Sequence, residues 1–286
     1  MKLITFSGAG MLAGLAELLA CHGYSADDQA IALGMEAPYL LHHENSRYFA
    51  GEALYQPQWL NLFLHPRGFH MKAVQCASTE VPLLLRSLPA AMLTLSLHKE
   101  APHPVVYTGY TSGRYLLENI RFPEDADEDR VSMSREMLLR RLPESVTLYI
   151  LEKIVPEPVD FIPLLLQSLE NMKSYHTDLL AVLQQEVTHR EFRALHTNLF
   201  RPLMQEWQPL SALIGDLELA EELRALRHDY RHVFIRSSPK TILLSERLSR
   251  SSITTCLSWL YEDTVDRLHE LGVDNAVMES RLSLTT

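Results

Sequence analysis

Pro156-Glu-Pro158 divides this chain into two textures of hydrophobic spacing. Before it, short alternating apolar runs mark half-buried strands, interspersed with stretches of helical period. After it, apolar residues recur at helical spacing: Val159, Ile162, Leu166, Leu169 and Met172, then Leu179, Leu183 and Val187, then Leu195, Leu199 and Leu203. Residues 224–234 and 243–271 continue the pattern, and Ser237-Ser-Pro239 breaks it between them. No strict heptad persists, which favours a compact helical bundle over a long coiled coil. The expected fold class is therefore α+β over about residues 1–154, followed by an all-helical domain over about 158–286.

Within the first part, Leu12, Leu15, Ala16, Leu18 and Leu19 cover more than one face of a helix that only Glu17 and His22 interrupt. Such a helix is buried on most sides. Gly23 stands where a C-cap glycine is expected. Ser25-Ala-Asp-Asp28 reads as a helix start with an acid in the first turn, and Thr79-Glu-Val-Pro82 opens a further helix over 83–88. Strands are expected over 69–75, 91–97, 105–110, 115–120 and 146–150, with Thr111-Ser-Gly113 joining the third and fourth as a hairpin. Ser132 or Ser134 caps a helix running to Leu142.

The 286 residues carry a net charge of −10 and are 47% hydrophobic. An acidic chain without a basic stripe is a poor general nucleic-acid binder. The longest apolar runs are too short for a bilayer span and contain Glu17, and no secretory leader is read at the N-terminus. Cys21, Cys76 and Cys256 are few, odd in number and far apart. They fit a reducing cytoplasm better than a disulfide framework.

The ordered set Gly10–Gly23 as a helix, Ile31-Ala-Leu-Gly34-Met as a Gly-containing turn, His103-Pro-Val-Val-Tyr-Thr-Gly109 as a strand, and Asn119 ending the next strand resembles the papain-like fold of the bacteriocin-leader peptidases. More closely, it resembles the N-terminal domain of the butirosin-biosynthesis acyltransferase family, across roughly residues 4–154. The resemblance implies acyl or amide transfer on a small molecule of natural-product type, with a carrier-protein thioester as donor. It also implies a catalytic triad in which His103 is the base and Asn119 its orienter. In such sites a Cys opens the helix, where the macrodipole and the His stabilise its thiolate. Aligned on Gly23, that position here is Gly10, which has no nucleophile. Cys21 lies about three turns further along the helix, and Ser7 about one turn before it.

Several readings stay open on the residues alone. Ser7 is either a nucleophile or part of a helix lead-in. The amides of Gly8, Ala9 and Gly10 can hold a carboxylate, phosphate or oxyanion at a helix start even without a nucleophile. His103 is either a proton-transferring residue or a strand-end histidine, and Asn119 depends on it. His42, His43, Glu44, His65 and His70 match no metal-site spacing, so neither a metal nor a cofactor is expected. Tyr39, Tyr48, Phe49, Tyr55 and Trp59 read as core, or as the lining of a pocket. Arg190, Arg193, Arg201, Arg224, Arg227 and Arg231 read as the wet face of the bundle. Two functions follow: an acyl transferase lacking the usual Cys, or a degenerate binding protein that keeps the cleft for a small ligand or partner. A homodimer through apolar faces of the helical part is compatible with either.

Overall fold

The computed structural model describes residues 3–6, 10–95, 103–123, 129–236 and 241–278, with the side chains of 233–236 left aside. These fall into two compact units, one drawn from residues 1–35 and 55–159, the other from 36–54 and 160–286. No helix among the described residues is long and apolar enough to cross a membrane.

The first unit opens with α1 (Gly10–Cys21), whose Leu12, Leu15, Ala16, Leu18 and Leu19 are wholly buried. Gly23 ends it with φ +81°. The amide of Tyr24 reaches back to the Leu19 carbonyl and that of Gly23 to Ala20, both at 3.0 Å. This 6→1 and 5→2 pairing satisfies carbonyls that a helix end otherwise leaves bare. Asp27 then caps α2 (Asp28–Gly34) by accepting from the Ala30 amide at 2.7 Å. Asp28 is buried, and its carboxylate accepts from the Thr5 amide (2.6 Å), the Thr5 hydroxyl (2.8 Å) and the Gln29 amide. The chain ahead of α1 is thereby tied to α2.

After α2 the chain leaves for the second unit, forming the hairpin of β1 (His42–Glu44) and β2 (Arg47–Phe49). It returns with α3 (Pro57–Leu64), β3 (Phe69–Ala77), α4 (Val81–Ser87), β4 (Ala91–Leu95), β5 (His103–Thr111), β6 (Arg114–Asn119), β7 (Arg130–Met133), α5 (Arg135–Arg141) and β8 (Ser145–Lys153). Six of these strands form one antiparallel sheet in the order β3-β8-β4-β5-β6-β7. A two-residue turn joins β5 to β6, with Ser112 and Gly113 both at positive φ (48° and 78°). That is the primed geometry whose twist matches the flanking strands.

Side chains alternate across the sheet. On one face Leu93, Val105, Tyr107, Tyr115, Leu117 and Leu148 pack with Val81 and Leu85 of α4 and Leu138 of α5. On the other, Met92 and Pro104 meet α1 at Gly14, where a Cβ would lie 2.5 Å from Met92 Sδ. The missing side chain lets helix and strands close together.

The second unit is helical apart from two short ladders, in keeping with the helical part expected after the Pro-rich break. It contains α6 (Ile162–Leu183), β9 (Glu186–Val187), α7 (His189–Leu195), α8 (Trp207–Ile214), α9 (Leu217–Arg236), β10 (Ile242–Leu243) and α10 (Arg250–Glu270), with β9 paired to β10. The run Leu195–Leu199–Leu203 is not plain α-helix. Its hydrogen bonds widen to i→i−5 over His196–Phe200 and Pro202–Glu206. Pro202 has no N–H to donate, which is one cause of such a bulge.

Segment 36–54 belongs with these helices, whereas its position before the Pro-rich break placed it with the strands. The reason is a set of hydrogen bonds to α6 and α10. Ser168 Oγ donates to the Tyr39 carbonyl and accepts from the Leu41 amide. Asn171 Nδ2 donates to the Leu41 carbonyl at 2.7 Å, and the Tyr48 hydroxyl donates to Asp178 at 2.7 Å. Glu36 takes a two-pronged ion pair from Arg267 at 2.6 and 2.8 Å. Such a fork adds geometric specificity as well as attraction.

Asp263 on α10 gives this unit a pH signature. Burial, and then the nearby charge of Asp216, push its carboxyl up to about 6. A raised folded value favours the protonated form. Its contribution to stability is therefore full below the unfolded value near 3.8 and is lost as pH rises through about 6. The group is only half-buried, so after screening we expect Asp263→Asn to stabilise the protein by about 1 kcal/mol at pH 8. Urea unfolding should show that gain at pH 8 and none at pH 4. An equal gain at both values would exclude this origin.

Candidate functional site

His103 is the first residue of β5 and Asn119 the last of β6. The register sets Val105 opposite Asn119, so His103 and Asn119 are diagonal neighbours on one face. His103 Nε2 lies 2.8 Å from Asn119 Oδ1. Since that oxygen can only accept, Nε2 is the donor, and in the neutral ring Nδ1 keeps its lone pair. Asn119 is 1% exposed, and its backbone amide donates to the Asp129 carbonyl at 2.8 Å. The orienting amide is thus locked beside a half-buried imidazole. Chemically, such a pair can accept or return a proton at Nδ1.

Gly10 begins α1 and reaches β5 at Pro104. A Cβ built there would sit 3.6 Å from Ile4 Cδ1 and 3.7 Å from Pro104 Cδ, both ordinary contacts. Pro104 directly follows His103 in β5, so the helix start meets the His-strand at Pro104. Ile4 is held there by its amide's hydrogen bond to the Arg121 carbonyl at 3.0 Å. Among the described residues, the atoms nearest to position 10 are therefore carbons. Ser7, Gly8 and Ala9, the expected nucleophile and amide donors, lie outside the described residues.

The cysteines offer no activated thiol. Cys21 is eleven residues along α1 from Gly10, about 16 Å by helical rise. Burial and the charges of Glu17 and Glu118 raise its thiol. Burial also raises Cys76, and it pushes buried Cys256 up to about 12. A raised thiol carries little thiolate, the form that reacts. Cys76 lies within β3 rather than after it.

Other sequence candidates fall elsewhere. His65 Nε2 and His70 Nδ1 are 2.9 Å apart, and His42 lies 3.7 Å from Glu44. Among the described residues no group of three or more His, Cys, Asp or Glu is placed to hold a metal. Tyr48 and Tyr55 are core residues, each 4% exposed, and Tyr48 packs on Tyr175. Arg190, Arg193, Arg224 and Arg231 are exposed. Arg201 differs: it pairs with the buried Glu206 at 2.7 Å and with Glu52.

Glu118 was missed from sequence. It stands one residue before Asn119, on the opposite sheet face, and lines a cavity of about 720 Å³. The only signal was a carboxylate within an apolar strand, easily taken for a solvated edge.

No family model matches the chain, and neither does any curated protein. Among solved structures, it is similar to the peptidase domain of Streptococcus ComA, a bifunctional ABC transporter of a quorum-sensing pathway. The identity is 11%, the match covers 52% of this chain and 96% of that one, and the TM-score is 0.35. It is also similar to a periplasmic domain of the EpsAB fusion protein of the Vibrio vulnificus type II secretion system. There the identity is 16%, the coverage 52% and 50%, and the TM-score 0.28. Likenesses this small carry no inference about activity, so the site must be read from its own geometry.

Proposed function

We propose that the first unit is a papain-like acyl-transfer scaffold that works without a covalent nucleophile. The observation that carries this reading is the oriented His103–Asn119 pair on a strand whose next residue, Pro104, meets a helix start that bears glycine. In the proposed step, an amine or hydroxyl of a bound small molecule attacks the carbonyl carbon of a thioester, such as that of a carrier protein. His103 Nδ1 accepts the proton, the C–S bond breaks, and the proton returns to the leaving thiolate. No acyl group is stored on the chain.

Incubation with acyl thioesters and an amine panel tests this. Turnover should fall about a hundredfold in His103→Ala, with secondary structure unchanged and no acylated protein seen by mass spectrometry. An acyl adduct on Ser7 or a cysteine, or full turnover in His103→Ala, would overturn the proposal. The second reading is a degenerate binding protein, favoured by the carbon wall of Ile4 and Pro104 at position 10. It predicts saturable ligand binding with no turnover in either form.

A further inference from the structure

Along α1 from Gly10, on the sheet face away from Asn119, lies the cavity of about 720 Å³ lined by Glu17, Glu118, Arg114 and Arg130. All four belong to the first unit. The volume is in the range of small-molecule sites. Glu118 is its most telling element. The side chain is 7% exposed, and Oε1 accepts from Arg130 Nε at 2.7 Å. Oε2 is buried and receives no hydrogen bond among the described residues. A buried carboxylate oxygen left without a donor is costly, and a ligand donor would remove that cost.

Charge around it is arranged in two signs. Glu17, 8% exposed, adds a second carboxylate from α1. The last carbonyls of α1 add further negative potential, which favours a cation. The raised Cys21 thiol, lifted after burial by Glu17 and Glu118, reports the same field. Against this stand two guanidinium groups. Arg130 is 81% exposed and bonds Glu118 through Nε alone. Arg114 is steered by Ser132, through its hydroxyl (2.7 Å) and carbonyl (2.6 Å). Ala20, Leu116 and Val131 supply apolar wall between these groups.

We infer that this cavity binds a small molecule bearing an α-amino-acid head group. The ammonium donates to Glu118 Oε2 with Glu17 beside it. The adjacent carboxylate accepts from Arg130 and Arg114, and the aliphatic part lies on Ala20 and Leu116. The close spacing of Glu118 and Arg130 requires the ligand's opposite charges to be neighbours, which selects an α-amino acid over a lone amine or acid. This site does not depend on His103, and its test does not read turnover.

The test is NMR titration of the full chain with norleucine, pentylamine and hexanoate, three probes that share an aliphatic chain. Norleucine should shift the amides of the C-terminal half of α1, β6 and β7 saturably, and bind about tenfold more tightly than either other probe. Glu118→Gln should lose about tenfold in norleucine affinity. Arg130→Met, a change at an exposed side chain, should do the same and guards against misfolding of the first variant. Absent or non-saturating shifts with norleucine, equal binding of hexanoate, or shifts unaffected by both variants would each overturn the assignment.

Discussion

Gly10→Cys should create a thiol that alkylates at pH 6, where the three natural cysteines stay silent. Among the described residues the new Cβ meets Ile4 and Pro104 at 3.6–3.8 Å, ordinary contacts that need no displacement. Its sulfur would stand at the first residue of α1, where the helix dipole stabilises an anion, and the proposed function requires it to lie within reach of the His103 imidazole. Together these effects lower a thiol by about three pH units from its usual value near 8.5. Cys21, Cys76 and Cys256 are all raised instead, so labelling at pH 6 reads one site. The measurement is iodoacetamide labelling rate against pH, followed by peptide mapping. A plateau reaching down to about pH 6 is expected, and adding His103→Ala should move it back up. A midpoint near that of an ordinary thiol, with or without His103, would mean the helix start and the imidazole do not share a site.

Gly51→Ala should cost about 3 kcal/mol of stability in the second unit, the sum of two separate penalties. Gly51 sits at φ +51°, where a Cβ is strained whatever the space around it. That Cβ would also lie 2.7 Å from Glu206 Cβ and 3.3 Å from Glu206 Cα. A helix backbone cannot yield as a side-chain tip can. Glu206 is held in addition by Arg201 and by the Glu52 amide at 2.8 Å, so it cannot swing away without losing both. Burial raises its carboxyl while Arg201 opposes the shift. Denaturant unfolding followed by the fluorescence of buried Trp207 would measure the loss. A change below 1 kcal/mol would mean that segment 36–54 is not seated on this residue.

Local chemistry was readable where one residue decides one geometry. Gly23 ends α1 because only glycine adopts that φ freely. Ser112-Gly113 turns the β5–β6 hairpin for a related reason, and Ser134 caps α5 through the Met137 amide. His103 and Asn119 were paired through the family resemblance, and their approach depends on a bulge between Tyr107 and Gly109 that shifts the register set by the turn. The failures have a different cause. Segment 36–54 is held by partners about 130 positions away, such as Ser168 and Asn171, and no local pattern reports those. Arg130–Met133 forms the edge strand β7, but four residues show too little alternation to separate a strand from a helix lead-in. Glu118 drew no reading because a one-dimensional view cannot see that α1 covers that face of the sheet.

The path of the chain through 36–54 also bears on how the molecule is made. Leu40, Leu41 and Tyr48 leave the ribosome more than a hundred residues before α6, on which they are buried, is complete. Until then this greasy stretch has no home within the part already synthesised. Severing the polypeptide at Pro158 would make that transient state permanent, yielding a sticky N-terminal piece rather than a self-sufficient module.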